Sequence, residues 1–140
     1  MKLQLIKDQS ESIEGFKTVL TTNFMPPSLD DVIDNSCENI IIGDVLDLYS
    51  QEVRNNVLVS IVKKLRLNGE VFVSGVEARS LCKMFSNNYL KTNNLSDIIS
   101  NIGSIMELDE INNILESCGL EVETSKINGY KYEIRARRKN

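Results

Sequence analysis

Apolar positions along this chain alternate with polar ones in some stretches, run continuously in one, and recur at helical spacing in others. Leu3-Gln4-Leu5-Ile6 reads as a short strand, and Gly15-Phe16-Lys17-Thr18-Val19-Leu20, with its β-branched and aromatic content, as a second. Met25-Pro26-Pro27-Ser28 breaks regular structure, because both prolines lack an N–H and restrict their predecessors. The acidic residues 29–35 then form a short helical turn or loop. Asn39-Ile40-Ile41-Ile42, followed by Gly43-Asp44, is the clearest strand, and its unbroken apolar run predicts a parallel strand covered on both faces. Ser50 is a good N-cap with Glu52 in the first turn, and Val53, Val57, Leu58, Ile61, Val62 and Leu65 make one helical face. Lys63, Lys64 and Arg66 would occupy the last turn of that helix, closed by Asn68-Gly69.

Glu70-Val71-Phe72-Val73-Ser74 is the next strand, so strand, helix and strand make a βαβ unit with a parallel sheet. Helices are expected over 76–85 and 95–102, separated by Asn-rich turns. Leu108, Ile111, Ile114, Leu115 and Cys118 form a further helical stripe that Gly119 ends in a left-handed conformation. Residues 120–127 and 130–137 then read as two strands around an Asn128-Gly129 type I′ turn. In the last strand Tyr130, Tyr132, Ile134 and Ala136 share one face and Lys131, Glu133, Arg135 and Arg137 the other, so one side is wet. No repeat or boundary interrupts the chain, and residues 1–140 are expected to form one α/β domain.

Composition narrows the chemistry. The 140 residues are 41% hydrophobic and 26% charged, with a formal charge of −4, three Cys and no His. A chain of this length buries roughly 68–70% of its unfolded surface and needs no staple. Without His there is no Ser-His-Asp or Cys-His pair and no His-ligated zinc. Cys37, Cys82 and Cys118 are far apart and odd in number, as small apolar residues in a reducing compartment would be. No stretch approaches the ~20 apolar residues of a membrane span, and no signal-peptide core follows Met1. The expected setting is the cytoplasm.

From Cys37 onward the sequence resembles the carboxy-terminal half of class I S-adenosylmethionine-dependent methyltransferases. Residues 59–74, Val-Ser-Ile-Val-Lys-Lys-Leu-Arg-Leu-Asn-Gly-Glu-Val-Phe-Val-Ser, are similar to the family's EI-x-RVLKPGG-x-L-x-I-S segment. Leu108-Asp109-Glu110-Ile111 through Gly119-Leu120-Glu121-Val122 looks like its eel-x-x-LLE-x-AGF-x-V, and the final hairpin like its reversed last strand. The resemblance implies a Rossmann-like fold with a mostly parallel sheet ending in an antiparallel hairpin. It also implies S-adenosylmethionine as cofactor. The amino-terminal part departs from the pattern, since Ile6, Lys7 and Asp8 stand where the family writes its glycine loop. Those glycines let the backbone approach the methionine moiety closely. Leu20 likewise stands where the ribose-binding acid belongs, leaving Asp8 or Glu11 as the carboxylates nearest in sequence. About ten residues separate the first two strands, too few for the usual helix. The third strand has no counterpart between Asn23 and Asn35, so the sheet is trimmed to five or six strands.

Two functions are compatible with this pattern, from different classes. One is a degenerate fold that binds the cofactor weakly or not at all and acts as an interaction or assembly module, as a homo-oligomer or with a protein partner through an edge or face the trimming exposes. The other is a small active methyltransferase, in which Asp44, Asp47 and Tyr49, with Asp8, position cofactor or acceptor at the carboxyl ends of the strands. Against that second reading, Gly43-Asp44 is also an ordinary strand exit and Asp47 a solvated loop acid. Gly75, Glu77 and Arg79 would line the same crevice, or form a turn and an exposed charge pair. Lys126, Lys131, Arg135, Arg137, Arg138 and Lys139 make a basic tail, but no aromatic row is interleaved for base stacking. A solvated strand face is favoured there over nucleic acid.

Overall fold

The computed structural model describes residues 1–21 and 26–139. The six strands are β1 (Lys2–Ile6), β2 (Lys17–Leu20), β3 (Cys37–Gly43), β4 (Leu65–Val76), β5 (Leu120–Asn128) and β6 (Lys131–Arg138). They form one sheet in the order β2-β1-β3-β4-β6-β5. The first four run parallel, and β6 is antiparallel to both β4 and β5. Four helices accompany the later strands: α1 (Gln51–Val62), α2 (Ala78–Ser86), α3 (Thr92–Ser100) and α4 (Leu108–Ser117). Only a 3-10 turn, Gln9–Glu11, links β1 to β2. Residues 26–36 carry no strand, whereas Thr22 to Met25, including the first residue of the Met25-Pro26-Pro27-Ser28 break, lie outside the described residues.

Leu3 and Leu5 of β1, Ile40 and Ile42 of β3, Val71 and Val73 of β4, and Ile134 and Ala136 of β6 all point to one face. There they meet Val57, Leu58 and Ile61 of α1 and Ile111 and Leu115 of α4, which makes a single core. The expected stripes of the two helices are the surfaces that pack. The chain's middle is more peripheral: Leu81 is the one buried residue of α2, and α3 buries none.

Three expectations need correction. β3 is not covered on both faces: Ile41, with Phe72 beside it on β4, is only half-buried, because no helix among the described residues packs on the second face. Helix α1 stops at Val62, not beyond Leu65, because the backbone at the start of β3 captures the carbonyls of Lys63 and Lys64. Asn35 N–H donates to Lys63 C=O at 3.0 Å and Cys37 N–H to Lys64 C=O at 2.8 Å. Leu65 thus opens β4 opposite Cys37, while Asn39 pairs with Glu70, so the residues between them bulge out, with Asn68 left-handed at φ 63°. The final turn is shifted by one residue: Asn128 pairs with Lys131, and the two-residue loop is Gly129-Tyr130. Gly129 alone has positive φ (65°), the pattern of a II′ turn, which needs it only at the first central position.

Candidate functional site

In an open α/β sheet the carboxyl ends of the parallel strands form the natural ligand crevice. Here a cleft of about 230 Å3 opens at that edge, lined by Lys7 after β1, Asp44 and Asp47 after β3, Val76 at the end of β4, and Lys131 of β6. Asp97, Ile98 and Asn101 of the α3 region form its opposite wall. A second hollow of about 410 Å3 adjoins it, lined by Lys7, Asp8, Glu11 and Thr21. Lys7, Leu48 and Asn101 border both, so the Lys7 side chain stands where the two meet.

The carboxyl end of β1 is closed by its own neighbours. Ile6 C=O accepts from Thr21 N–H at 2.8 Å and from the Thr21 hydroxyl at 3.0 Å. Tyr49 is 2% exposed, lies in the core and shares a hydrogen bond with the Thr21 side chain, while burial pushes its phenol up. It therefore braces the strand ends from behind and does not line the cleft. Asp8 is committed too: its Oδ1 accepts from Ser10 N–H at 3.0 Å and caps the 3-10 turn, which holds its carboxyl below the usual range.

Asp44 has a left-handed backbone, φ 57°, a conformation Asp tolerates better than most residues. Its N–H donates to Ser74 C=O at 3.1 Å, and its carboxylate accepts from Ser74 Oγ at 3.1 Å and Lys131 Nζ at 2.9 Å. Burial lowers the Lys131 pKa, but the hydrogen bond and charge of Asp44 outweigh it and leave the ammonium raised.

Asp47 was expected at the site, but not its burial. It is 4% exposed, not a solvated loop acid, and its Oδ2 accepts from Val76 N–H at 2.9 Å. Its backbone carbonyl takes Gly103 N–H at 2.6 Å and Ser104 N–H at 3.3 Å, docking the segment that leads into α4. Burial pushes its carboxyl up to about 6; the Val76 bond opposes this, and the Asp44 charge adds to it. Gly75 makes room for this arrangement. A Cβ there would meet the Tyr132 hydroxyl at 2.6 Å and Asp47 Oδ1 at 2.8 Å. The Tyr132 hydroxyl is fully buried without a hydrogen-bond partner among the described residues. Arg54, 2% exposed on α1, donates to Ser104 Oγ at 3.2 Å, and burial lowers its pKa against the raising charge of Glu110.

Of the expected residues, Asp44, Asp47 and Asp8 border the two hollows, and Tyr49 does not. Gly75 sits behind the cleft. Glu77 is buried as the N-cap of α2, accepting from Arg79 N–H at 2.8 Å, while Arg79 is exposed and pairs with Glu107. The basic tail is largely neutralised by its neighbours: Lys126 pairs with Glu133, Arg135 and Arg137 with Glu70, Arg137 also with Glu123, and Lys139 with Glu121. The sequence reading missed Lys131 and Arg54 as parts of this region. Lys131 comes directly after the Gly129-Tyr130 turn, which is the one local sign that it reaches the carboxyl edge.

Neither a family model nor a curated protein matches the sequence. Solved structures do match the fold. An O-methyltransferase family protein from Burkholderia thailandensis aligns at TM-score 0.63 and 9% identity, over 88% of this chain and 36% of that one. The Haloferax volcanii complex between a methyltransferase activator and the putative methyltransferase aligns at 0.60 and 7%, over 94% and 65%. Magnesium protoporphyrin IX methyltransferase from Synechocystis PCC 6803, with bound S-adenosylhomocysteine, aligns at 0.57 and 16%, over 88% and 50%. The chain spans between about a third and two thirds of the length of these proteins. Its fold is that of a Rossmann-like class I methyltransferase, with a mostly parallel sheet that ends in an antiparallel hairpin.

Proposed function

We propose that this chain keeps the methyltransferase fold without a working S-adenosylmethionine site and serves as an assembly module. The observation that carries this reading is the end of β1. Its carbonyl is already taken by Thr21, no glycine follows it, and the Lys7 side chain borders both hollows of the crevice. S-adenosylmethionine carries a sulfonium cation and a diol. An ammonium at the crevice disfavours the first, and the half-exposed Leu20 that ends β2 offers the second no acceptor.

Isothermal titration of the chain with S-adenosylmethionine and with S-adenosylhomocysteine tests this. The expected result is no saturable heat at ligand concentrations up to a millimolar. A micromolar dissociation constant for either ligand overturns the reading and supports the alternative, a small active methyltransferase. In that alternative Asp44 and Asp47 would orient the bound groups from the carboxyl end of β3.

A further inference from the structure

The sheet is asymmetric in what lies on it. One face carries α1 and α4; on the other, the segment from the 3-10 turn to Phe16 is the cover over β1. That segment is pinned by Gln4, whose side-chain amide donates to Glu11 C=O at 2.8 Å and accepts from Ile13 N–H at 2.9 Å. It stands above β1 as a ridge with Ile13 44% exposed, and Lys2 holds Phe16 on this side, its Nζ 5.9 Å from the ring centre. Beside the ridge, no helix among the described residues lies over β3, β4 and β6. A groove of about 310 Å3 runs there between Phe16, Asn39, Ile41, Phe72, Glu70 and Arg135.

We propose that this open face is where two copies of the chain meet, sheet against sheet, about a two-fold axis running along the strands. The inference rests on the assembly-module reading above and names the partner as a second copy. The shape argues for it. Such an axis turns the ridge of one copy over these strands of the other, and does so twice, as an isologous contact requires. The charge pattern matches the same operation. Glu11 and Glu14 on the ridge make no ion pair among the described residues. At two places on the β5–β6 side the cation is the outer member of its pair: Lys126 is 69% exposed against 24% for Glu133, and Arg135 53% against 25% for Glu70, whereas Glu121 is the outer member of its pair with Lys139. An acidic ridge thus meets the two outward cations Lys126 and Arg135 of the other copy, with Ile13 delivered onto the groove beside Phe72. Both halves of this complementary pair belong to one chain, which selects a second copy over an unrelated protein.

Sedimentation equilibrium of the full chain between about 10 and 500 μM provides the test, with circular dichroism confirming that each variant is folded. The wild type is expected to dimerise, and Ile13→Glu, outside every strand, to weaken the dimer about tenfold or more. Glu11→Lys with Glu14→Lys, and separately Lys126→Glu with Arg135→Glu, each weaken it by a similar factor. Mixing these two charge variants restores a heterodimer of about wild-type affinity, because both of its ridge-to-strand contacts are again attractive. A chain that stays monomeric throughout this range overturns the inference. So does a dimer indifferent to all three variants, or one not regained on mixing. Titration with S-adenosylmethionine decides the cofactor reading independently of each of these results.

Discussion

Ile41 and Ile42 are neighbours on one strand and live in different surroundings. Ile42 is fully buried under helices, in a core built from long-range pairs between β1, β3, β4 and β6. Ile41 faces the groove beside Phe72, half-exposed on a surface whose cover is a pinned loop over β1. The contrast teaches that the fold needs only one of its two helical layers to be specified. The layer that packs is carried by the carboxy-terminal elements, the part in which the sequence resembles methyltransferases. The short link between β1 and β2, with no helix in it, and the Ile6-Lys7-Asp8 segment both belong to the first 36 residues.

The sharpest way to break this comparison is to truncate both neighbours. Ile42→Ala removes fully buried methyls and is expected to cost about 2–5 kcal/mol in urea unfolding. Ile41→Ala should cost under about 1.5 kcal/mol, since part of its surface is already wet. Measured at concentrations where the chain is monomeric, equal losses would mean that more than the loop over β1 covers the second face within one copy.

A smaller effect probes the carboxyl edge. Asp47 is raised to about 6 in the folded chain from 3.8, so the folded state binds this proton more tightly than the unfolded one. Its contribution to stability is fully present below about pH 4 and is lost as pH rises through 6. Asp47→Asn keeps an acceptor for Val76 N–H and removes that dependence. The variant should match the wild type near pH 4 and exceed it at pH 7, by at most ~3 kcal/mol. Asp31, Asp34, Glu123 and Glu133 are held low by their Lys, Arg and Asn partners. Their stabilisation is lost only as pH falls below about 4, and it cancels in the difference between variant and wild type. A flat difference from pH 4 to 7 would place the Asp47 carboxyl in water.

The smallest effect belongs to the exposed pairs of the wet strand face. Lys126→Ala should change stability by no more than about 0.5 kcal/mol, because Lys126 is largely exposed and its pair with Glu133 is screened by solvent. A larger loss would mark that face as structural in the single copy.

Much of the fold was legible because α4, β5 and β6 announce themselves locally: a stripe, a terminating Gly119 with φ 86°, and a strict alternation. The end of α1 was not, because the bonds that stop it come from Asn35 and Cys37, which no local pattern connects to Lys63 and Lys64. Arg54, and the burial of Asp47, were illegible for a related reason. A charged residue next to an apolar stripe reads as solvent-facing until a distant segment, here Gly103-Ser104, arrives to bury it. Lys7, which the sequence places directly after the first strand, borders both hollows.

The central claim concerns that junction, and an amide chemical-shift titration with S-adenosylhomocysteine reads it residue by residue. The account predicts that Lys7, Asp8, Asp44 and Val45 keep their shifts to millimolar ligand. Saturable movement of those four amides at micromolar concentrations would contradict it.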